Sequence, residues 1–252
     1  MKLKDKVMFI TGGSAGIGKG ICFAYAKEGA KIIFIGRNEE RGKQTEKELH
    51  AIGCEATFMQ GDVTDLTSLP KLINKTIEKY GQLDVLINNA SAGGGVDKLF
   101  EDTSNEDMLE ALTGGFMPSF VLMREALPHL KDTKGSIINF ASNSGMIGLA
   151  KKTAYAAAKE SIRAISRVAT NEWGRYDINI NNIAPIAATP GVESWKKEDP
   201  DAYEKMTSLI PLRRLGDPEK DIGKTAVFLG SEDASFITGQ TFMVDGGNLM
   251  LR

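Results

Sequence analysis

Short apolar runs alternate with longer amphipathic segments along almost the whole chain, and this alternation restricts the fold more than any other feature of the sequence. The runs are nearly continuous in apolar residues, as expected of strands that are buried on both faces of a sheet. The segments between them have helical length and spacing, which indicates parallel strands joined by helical crossovers. We therefore predict an α/β fold with a doubly wound parallel sheet of about seven strands and helices on both faces. The predicted strands are 7–10, 31–35, 56–59, 85–87, 136–140, 178–183 and 241–244, and the predicted helices lie near 17–28, 39–51, 68–80, 105–130, 153–173 and 218–229.

The chain is expected to form a single domain over residues 1–252, because it contains no internal repeat, no low-complexity tract and no linker rich in proline or serine. A chain of this length buries roughly three quarters of the surface that its unfolded form exposes, so it needs no disulfide or metal to hold a core. The least regular stretch is about 186–215, which carries Pro190, Pro200 and Pro211. We predict that this stretch forms a substrate loop or lid over a binding site.

The composition argues against several classes of function. Lys and Arg number 31 against 33 Asp and Glu, a net charge of -2 that lacks the basic surplus of a nucleic-acid binder. The two histidines, His50 and His129, are too few for a histidine-ligated metal centre or a histidine-based triad, so we predict no metal site. The two cysteines, Cys22 and Cys54, cannot build a disulfide framework and fit reduced thiols in a cytoplasmic protein. No apolar stretch approaches the ~20 residues that span a bilayer, so we expect no membrane association.

A glycine cluster directly follows the first predicted strand and opens the first predicted helix. Gly12, Gly16 and Gly18 give the spacing G-x-x-x-G-x-G, which permits a tight turn and lets a pyrophosphate approach the backbone at a helix N-terminus. The alternative interpretation is a packing turn between a strand and a helix. The position after the first strand favours a dinucleotide site, whose candidate residues are Gly12, Ser14, Ala15, Gly16, Ile17 and Gly18.

The end of the second strand indicates which dinucleotide is bound. A carboxylate there would bind the ribose hydroxyls of NAD, but this position is Gly36 and is followed by Arg37 and Asn38. A guanidinium can bind a 2′-phosphate through paired, charge-assisted hydrogen bonds, which favours NADP(H). The alternative is that Arg37 is a solvated residue at the helix entry, paired with Glu39 or Glu40.

Tyr155 and Lys159 are four residues apart in a predicted helix and therefore lie on one face of it. A lysine cation stabilises a phenolate, so the pair is suited to proton transfer once a dry site and a charged cofactor strengthen the effect. Ser142 ends a buried strand, where open α/β sheets place their ligands, and its hydroxyl can bond a substrate carbonyl. The alternatives are a surface Tyr–Lys pair and a turn-forming serine, with Ser144 as the competing hydroxyl.

Taken together and in this order, these motifs resemble the short-chain dehydrogenase/reductase family over essentially the whole chain. Ser142 stands 13 residues before Tyr155, which is the family's usual separation, whereas Ser144 does not fit it. The motifs are the glycine turn at 11–18, Asp62 with Val63, Asn88-Asn89-Ala90, Ser142, Tyr155 with Lys159, residues 181–185, and the tail from Pro211-Leu212-Arg213-Arg214-Leu215 to Asp245-Gly246-Gly247.

The resemblance implies a Rossmann-type domain and assigns roles to individual residues. Tyr155 would be the general acid in reduction and the base in oxidation, Lys159 would hold the nicotinamide ribose and stabilise the phenolate, and Ser142 would position the carbonyl oxygen. The remaining implied cofactor contacts are Arg37 at the family's NADP position, Asp62 and Val63 at the adenine, Asn89 and Ala90 at the ribose, and Pro185 and Thr189 near the carboxamide.

Three departures from the family pattern stand out. Counting back from Tyr155 places Gly115 where the family has a relay asparagine, so the proton relay either uses backbone carbonyls and water or is impaired. The usual Asn-Ala-Gly after the fourth strand ends here in Ser91. The usual Pro-Gly reads Pro185-Ile186, and one residue is missing before Thr189, which bears on the carboxamide contact.

We therefore predict an NADPH-dependent reductase that converts a ketone to a secondary alcohol. A reductase of the 3-oxoacyl type is the first interpretation. The alternatives are an enoyl- or dienoyl-thioester reductase of the same family and a non-catalytic NADP(H)-binding protein. We expect a small-molecule carbonyl substrate in a pocket walled by 92–100, 145–152 and 191–206, with the rim at 91–95 small and flexible. Lys151-Lys152 and Lys196-Lys197 would attract an acyl-carrier or coenzyme A phosphate unless they are solvated surface. The resemblance also implies a homo-oligomer, a tetramer, and the apolar tail at 249–251 fits docking on a neighbour.

Overall fold

Seven parallel strands form one sheet in the computed structural model, which describes residues 1–92 and 97–250. The strand order is β3-β2-β1-β4-β5-β6-β7, so the chain starts in the middle, builds one half and then crosses to build the other. This confirms the predicted doubly wound sheet and places its switch point between β1 and β4. The strands are β1 Val7–Thr11, β2 Lys31–Gly36, β3 Ala56–Gln60, β4 Val85–Asn88, β5 Ser136–Phe140, β6 Asn179–Pro185 and β7 Thr241–Val244.

Helices cover both faces of the sheet. The predicted helix at 153–173 is present with those bounds, whereas the predicted helix at 105–130 is divided by a π-helical turn, Leu112–Phe116. A second π-helical turn, Pro218–Gly223, precedes α10. The helices are α1 Gly16–Lys27, α2 Glu39–Ala51, α3 Leu69–Tyr80, α4 Asn105–Ala111, α5 Met117–Thr133, α6 Asn143–Met146, α7 Thr153–Trp173, α8 Pro190–Glu198, α9 Pro200–Ser208 and α10 Lys224–Leu229, with 3-10 turns at Phe100–Asp102, Gly174–Tyr176 and Glu232–Ala234.

The core lies on both sides of the sheet, as continuous apolar strands require. Neighbouring side chains of β1 alternate, so that Phe9 packs with α3, α5 and α7 while Ile10 packs with α1 and α10. Every residue of β1 is buried. The burial of both faces fixes the carboxyl ends of the central strands, where the candidate site lies.

The stretch at 186–215 is more regular than its prolines suggested. It contains α8 and α9, and Pro190 and Pro200 occupy their first turns. Proline is tolerated there because the first N–H groups of a helix have no intrahelical partner. The prediction of an irregular segment was therefore wrong, since the prolines start helices instead of breaking them.

The glycine pair between α4 and α5 allows a close contact between backbones. A Cβ on Gly114 would lie 1.9 Å from the carbonyl oxygen of Ala92, and the Ala92 N–H donates to the Gly114 carbonyl at 3.0 Å. Only glycine permits this approach, which outweighs its poor helix propensity. The π-helical turn is thus held against the segment that follows β4.

Within residues 1–92 and 97–250, none of the helices has both the length and the apolar character needed to cross a membrane.

Candidate active site

A cleft of about 350 Å³ opens at the carboxyl ends of β1, β2 and β4, at the switch point of the sheet. Open α/β sheets bind their ligands at this place, because loops diverge there and leave a crevice. The residues that line the cleft are Gly12, Ser14, Ala15, Ile35, Gly36, Arg37, Asn38, Arg41, Gly61, Val63, Asn89, Ala90, Ser91 and Ala92.

The glycine loop has the geometry of an anion-binding turn. Gly12 and Gly16 have φ values of +73° and +52°, a backbone conformation that residues other than glycine rarely adopt. A Cβ on Gly18 would lie 2.2 Å from the carbonyl oxygen of Gly12, so the loop closes tightly over the start of α1. Among the described residues no side chain caps α1, and its first turn carries no acid. Its first N–H groups are therefore available to a phosphate, as the sequence predicted.

The segment after β4 anchors the glycine loop from the other side. The Thr11 hydroxyl accepts hydrogen bonds from the N–H groups of Asn89 at 3.1 Å and of Ala90 at 2.9 Å. The Asn89 side-chain amide donates to the Thr11 carbonyl at 2.9 Å. Asn89 therefore holds the loop in place, while the same residue and Ala90 line the cleft.

Two arginines, Arg37 and Arg41, line the cleft beside the end of β2, where the sequence predicted only Arg37. Arg41 lies in the first turn of α2, and the Asn38 side chain caps that helix by accepting from the Arg41 N–H at 2.8 Å. Glu39 pairs with Lys43, which removes it as a partner of Arg37. Within the described residues no carboxylate forms an ion pair with Arg37 or Arg41. The cleft thus has two cationic groups available to a phosphate.

Gly36 stands at the end of β2, where NAD-binding sites carry an acidic residue. A Cβ on Gly36 would lie 2.6 Å from the Ser14 hydroxyl oxygen, so a larger residue here requires the Ser14 side chain to turn away. Gly36 and the glycine loop are therefore packed against each other.

The loop after β3 contributes through the neighbours of Asp62. Gly61 and Val63 line the cleft. Asp62 lies between them, and one of its carboxylate oxygens accepts hydrogen bonds from the backbone N–H and the hydroxyl of Thr64, both at 2.9 Å. Val63 thus faces the cleft, and Asp62 shapes the turn that holds it there.

The second half of the site joins α7 to the end of β5. The Lys159 ammonium donates to the carbonyl of Phe140, two residues before Ser142, at 3.0 Å. Lys159 is only 4% exposed, and its burial lowers its pKa to about 8. Its nitrogen lies 5.7 Å from the centre of the half-buried Tyr155 ring. The helix therefore holds an ammonium and a phenol side by side above the end of a central strand.

Ser142 begins a short helix and keeps its hydroxyl proton available. Its oxygen accepts a hydrogen bond from the Ser144 N–H at 3.2 Å and so caps α6. Because a hydroxyl can accept and donate at once, the Ser142 proton can still be donated to a ligand. Ser144 takes part in this cap through its backbone N–H, whereas Ser142 takes part through its hydroxyl, and this difference distinguishes the two serines.

Thr189 reaches the glycine loop although the chain is one residue short before it. A Cβ on Gly16 would lie 3.7 Å from the Thr189 methyl carbon, so the start of α8 packs on the loop. The Thr189 hydroxyl caps α8 by accepting from the Val192 N–H at 3.4 Å. Pro185 ends β6 opposite Val244, and the chain continues along the sheet through a bridge between Ala187 and Gly216. The continued pairing carries Thr189 to the glycine loop.

Two of the four lysines proposed to attract phosphates, Lys152 and Lys196, are engaged in other contacts. Lys152 pairs with Asp97. Lys196 lies 4.8 Å from the centre of the Tyr203 ring in the α8–α9 pair. The rim residues 93–95, and the tail residue at 251, lie outside the described residues.

These features together define an oxidoreductase that binds a nicotinamide dinucleotide. A family model described as enoyl-(acyl carrier protein) reductase matches residues 12–248. The chain belongs to the short-chain dehydrogenase/reductase family, whose members use NAD(P)(H).

Named relatives extend over nearly the full length of the chain. It is 42% identical over 249 residues to a 12alpha-hydroxysteroid dehydrogenase of Clostridium sp., covering 96% of each chain. It is 35% identical over 250 residues to a 2,5-dichloro-2,5-cyclohexadiene-1,4-diol dehydrogenase of Sphingobium indicum, covering 98% of this chain and 97% of the other. The crystal structure of Cj0485 dehydrogenase superposes with a TM-score of 0.93 and 34% identity, covering 100% of this chain and 96% of that one.

Proposed function

We propose that this protein is an NADPH-dependent reductase that converts a ketone to a secondary alcohol, reversibly, with Tyr155 as the general acid and base. The observation that carries the proposal is the bond from Lys159 to the Phe140 carbonyl, which sets the Tyr155–Lys159 pair beside the end of β5 and Ser142. The bound nicotinamide supplies the hydride. The protein's own residues then have only to hold the carbonyl and move one proton.

Each polar group has a separate task in this reaction. The Ser142 hydroxyl donates to the carbonyl oxygen and stabilises the charge that develops there. Tyr155 gives its phenolic proton to the same oxygen during reduction and takes it back during oxidation. The Lys159 ammonium stabilises the phenolate that remains. Because Lys159 has no ion-pair partner among the described residues, its charge is available to the phenolate.

The cofactor would lie across the cleft, with its phosphates at the start of α1. The adenosine 2′-phosphate is assigned to Arg37 and Arg41, with Asn38 beside them, which supports NADP(H) over NAD(H). The other assigned contacts are Gly12, Ser14, Ala15, Gly16, Ile17 and Gly18 for the pyrophosphate, Asp62 and Val63 for the adenine, Asn89, Ala90 and Lys159 for the riboses, and Pro185 and Thr189 for the nicotinamide end.

We propose ring-borne ketones and secondary alcohols as the first substrate class to test. Two relatives are named for alcohols of a steroid and of a cyclohexadiene, which supports this choice over an open-chain 3-oxoacyl substrate. The pairing of Lys152 with Asp97 also removes one cation that an acyl-carrier phosphate would need. The helices α8 and α9, within residues 186–215, are the proposed lid of this single domain.

The second candidate is reduction of an unsaturated thioester, which the description of the matching family model favours. A third, a non-catalytic NADP(H)-binding protein, is disfavoured because Ser142, Tyr155 and Lys159 are all present.

The test is a screen of NADPH oxidation with cyclic ketones, β-ketoesters, 3-oxoacyl thioesters and enoyl thioesters. We expect turnover with a cyclic ketone, and a loss of kcat of about a hundredfold to ten-thousandfold in Tyr155→Phe, because general acid catalysis contributes about 10²–10⁴. Binding of NADPH, measured by fluorescence, should remain in the variant. Tyr176→Phe, in the 3-10 turn that follows the far end of α7, is the matched control and should keep its activity. Turnover of Tyr155→Phe at the wild-type rate would contradict the mechanism, and turnover of enoyl thioesters alone would establish the second candidate.

We also propose that the protein is a cytoplasmic homotetramer. Both cysteines are buried free thiols, which suits a reducing compartment. Leu109 on α4, Phe120 on α5 and Val168 on α7 are large apolar side chains that stay exposed in the single chain, at 64%, 39% and 56%. An apolar face on the long helices supports association through them.

A further inference from the structure

Two departures from the family pattern are neighbours in space although they are 24 residues apart in sequence. Gly115 stands where the family has an asparagine, and Ser91 stands where it has a glycine. A Cβ on Gly115 would lie 3.5 Å from the Ser91 hydroxyl oxygen and 3.2 Å from the Cβ of Ala158. The hydroxyl of Ser91 thus lies next to the position from which the family's asparagine side chain would extend, beside α7.

The backbone on either side of Ser91 is firmly held, so this juxtaposition is a fixed feature of the fold. The N–H of Ala90 donates to the Thr11 hydroxyl at 2.9 Å. The N–H of Ala92 donates to the Gly114 carbonyl at 3.0 Å, inside the same π-helical turn that contains Gly115. Ser91 itself is exposed and lines the cleft, so its hydroxyl connects the cleft with the Gly115 position.

The proposed reaction needs such a connection. Every ketone that is reduced takes one proton from Tyr155, and that proton has to be replaced from solvent. Lys159 is the cationic neighbour of Tyr155, yet it is 4% exposed and donates one of its three N–H groups to Phe140. A proton that reaches the pair from water therefore requires polar groups on the way, and Ala158 on α7 offers none.

We propose that Ser91 is a positioning residue for proton supply: its hydroxyl holds the water that links the Tyr155–Lys159 pair to solvent, in the space beside Gly115. This inference rests on the proposed function. In reduction the O–H bond of Tyr155 breaks and its proton goes to the product oxygen. The phenolate takes a proton from the Lys159 ammonium by way of water. The neutral amine then takes a proton from the water held by Ser91, and that water regains a proton from solvent. In oxidation the same protons move outward.

The decisive experiment compares Ser91→Ala with Ser91→Thr, using the substrate that gives the highest turnover with the wild-type enzyme. In Ser91→Ala we expect kcat to fall about tenfold, equivalent to about 1.4 kcal/mol and the size of one lost hydrogen bond. The solvent deuterium isotope effect on kcat should rise, while the Kd for NADPH stays within twofold. Ser91→Thr keeps a hydroxyl and should stay within about twofold of wild type.

A second pair of variants restores the family arrangement from the other side. Ser91→Gly should lose activity like Ser91→Ala, and adding Gly115→Asn to it should recover kcat, because the amide then enters the same space. An active wild type with unchanged kcat and isotope effect in Ser91→Ala would overturn this inference alone, as would an equal loss in Ser91→Thr. A wild type that reduces no carbonyl would overturn the proposed function and this inference with it.

Discussion

Arg37 and Arg41 show how single residues set the charge of the cleft beside the end of β2. Both line it, four residues apart, and neither forms an ion pair with any carboxylate of the described residues. Arg37 could be predicted from its place after the second strand. The position of Arg41 could not be predicted in this way. The direction of its side chain depends on how the Asn38 cap sets the rotation of α2, and that is a property of the folded turn.

The arginines give the sharpest prediction about the cofactor. We expect Arg37→Ala, and separately Arg41→Ala, to raise the KM for NADPH about tenfold or more, since a hydrogen bond between charged groups contributes about 1.5–3 kcal/mol. The KM for NADH should stay within twofold, because NADH carries no 2′-phosphate. Lys43→Ala is the matched control on the same helix, where its charge is paired with Glu39. Equal increases for both cofactors in steady-state kinetics would contradict a phosphate-binding role.

Residues that act through distant contacts were the hardest to interpret from the sequence. Ser91 looked like a mild change and Gly115 like a loss, because no periodicity relates a loop after β4 to a turn before α5. Thr189 was in doubt for a missing residue, and only the pairing of Ala187 with Gly216 explains how it still reaches the glycine loop. The sequence pattern identified these positions but could not predict which of them meet.

Among the elements, the helical arm from α4 to α5 departs most from expectation. Its apolar spacing predicted one continuous helix, in which Gly114 and Gly115 would only lower the stability of the helix. The structure divides it at Leu112–Phe116, because the backbone of Gly114 packs against Ala92. This contact is long-range, so local helix propensity cannot predict it. The segments that were predicted well, such as α7, carry their helical signal within their own residues.

The contact at Gly114 can be tested by its effect on stability. We expect Gly114→Ala to destabilise the protein by about 3 kcal/mol, because the new methyl group would have to displace the Ala92 carbonyl. Gly191→Ala is the matched control: Gly191 also lies in a helix but has open space around it, so alanine should be neutral or stabilise by up to about 1 kcal/mol. Urea unfolding measures both. A loss in Gly114→Ala no larger than that in the control would contradict the close packing.

The helices α8 and α9 show a second limit of local interpretation. Thr189-Pro190 and Asp199-Pro200 are cap and first-turn pairs, and both signals were present in the sequence. Three prolines in one stretch nevertheless suggested an irregular loop. A proline marks a helix start as readily as a break, and the residue before it decides which interpretation is correct.

At the scale of the whole molecule, the alternation of apolar runs predicted all seven strands within a few residues, because a strand buried on both faces is visible in its own composition. The order of the strands is not contained in that alternation. It follows from the handedness of the crossovers and from the packing of α1, α5 and α7 against particular faces.

The exposed apolar residues on α4, α5 and α7 allow the proposed tetramer to be tested. We expect light scattering to give the mass of four copies of the 27.3 kDa chain. Leu109→Glu, and separately Val168→Glu, should give smaller species, because a buried unpaired charge opposes association. Ile52→Glu is the control, an equally apolar and exposed residue that follows α2. A mass unchanged by Leu109→Glu and by Val168→Glu would place the interface elsewhere.

The contact between Gly36 and Ser14 has a consequence for how this protein can evolve. An acidic residue at position 36 is the simplest route to NAD, yet its Cβ would lie 2.6 Å from the Ser14 oxygen. The change therefore requires the Ser14 hydroxyl to turn away from the end of β2, which a serine side chain can do by rotating about χ1. A substitution at position 36 would thus also reset the Ser14 side chain, so the residue at the end of β2 and the conformation of the glycine loop change together.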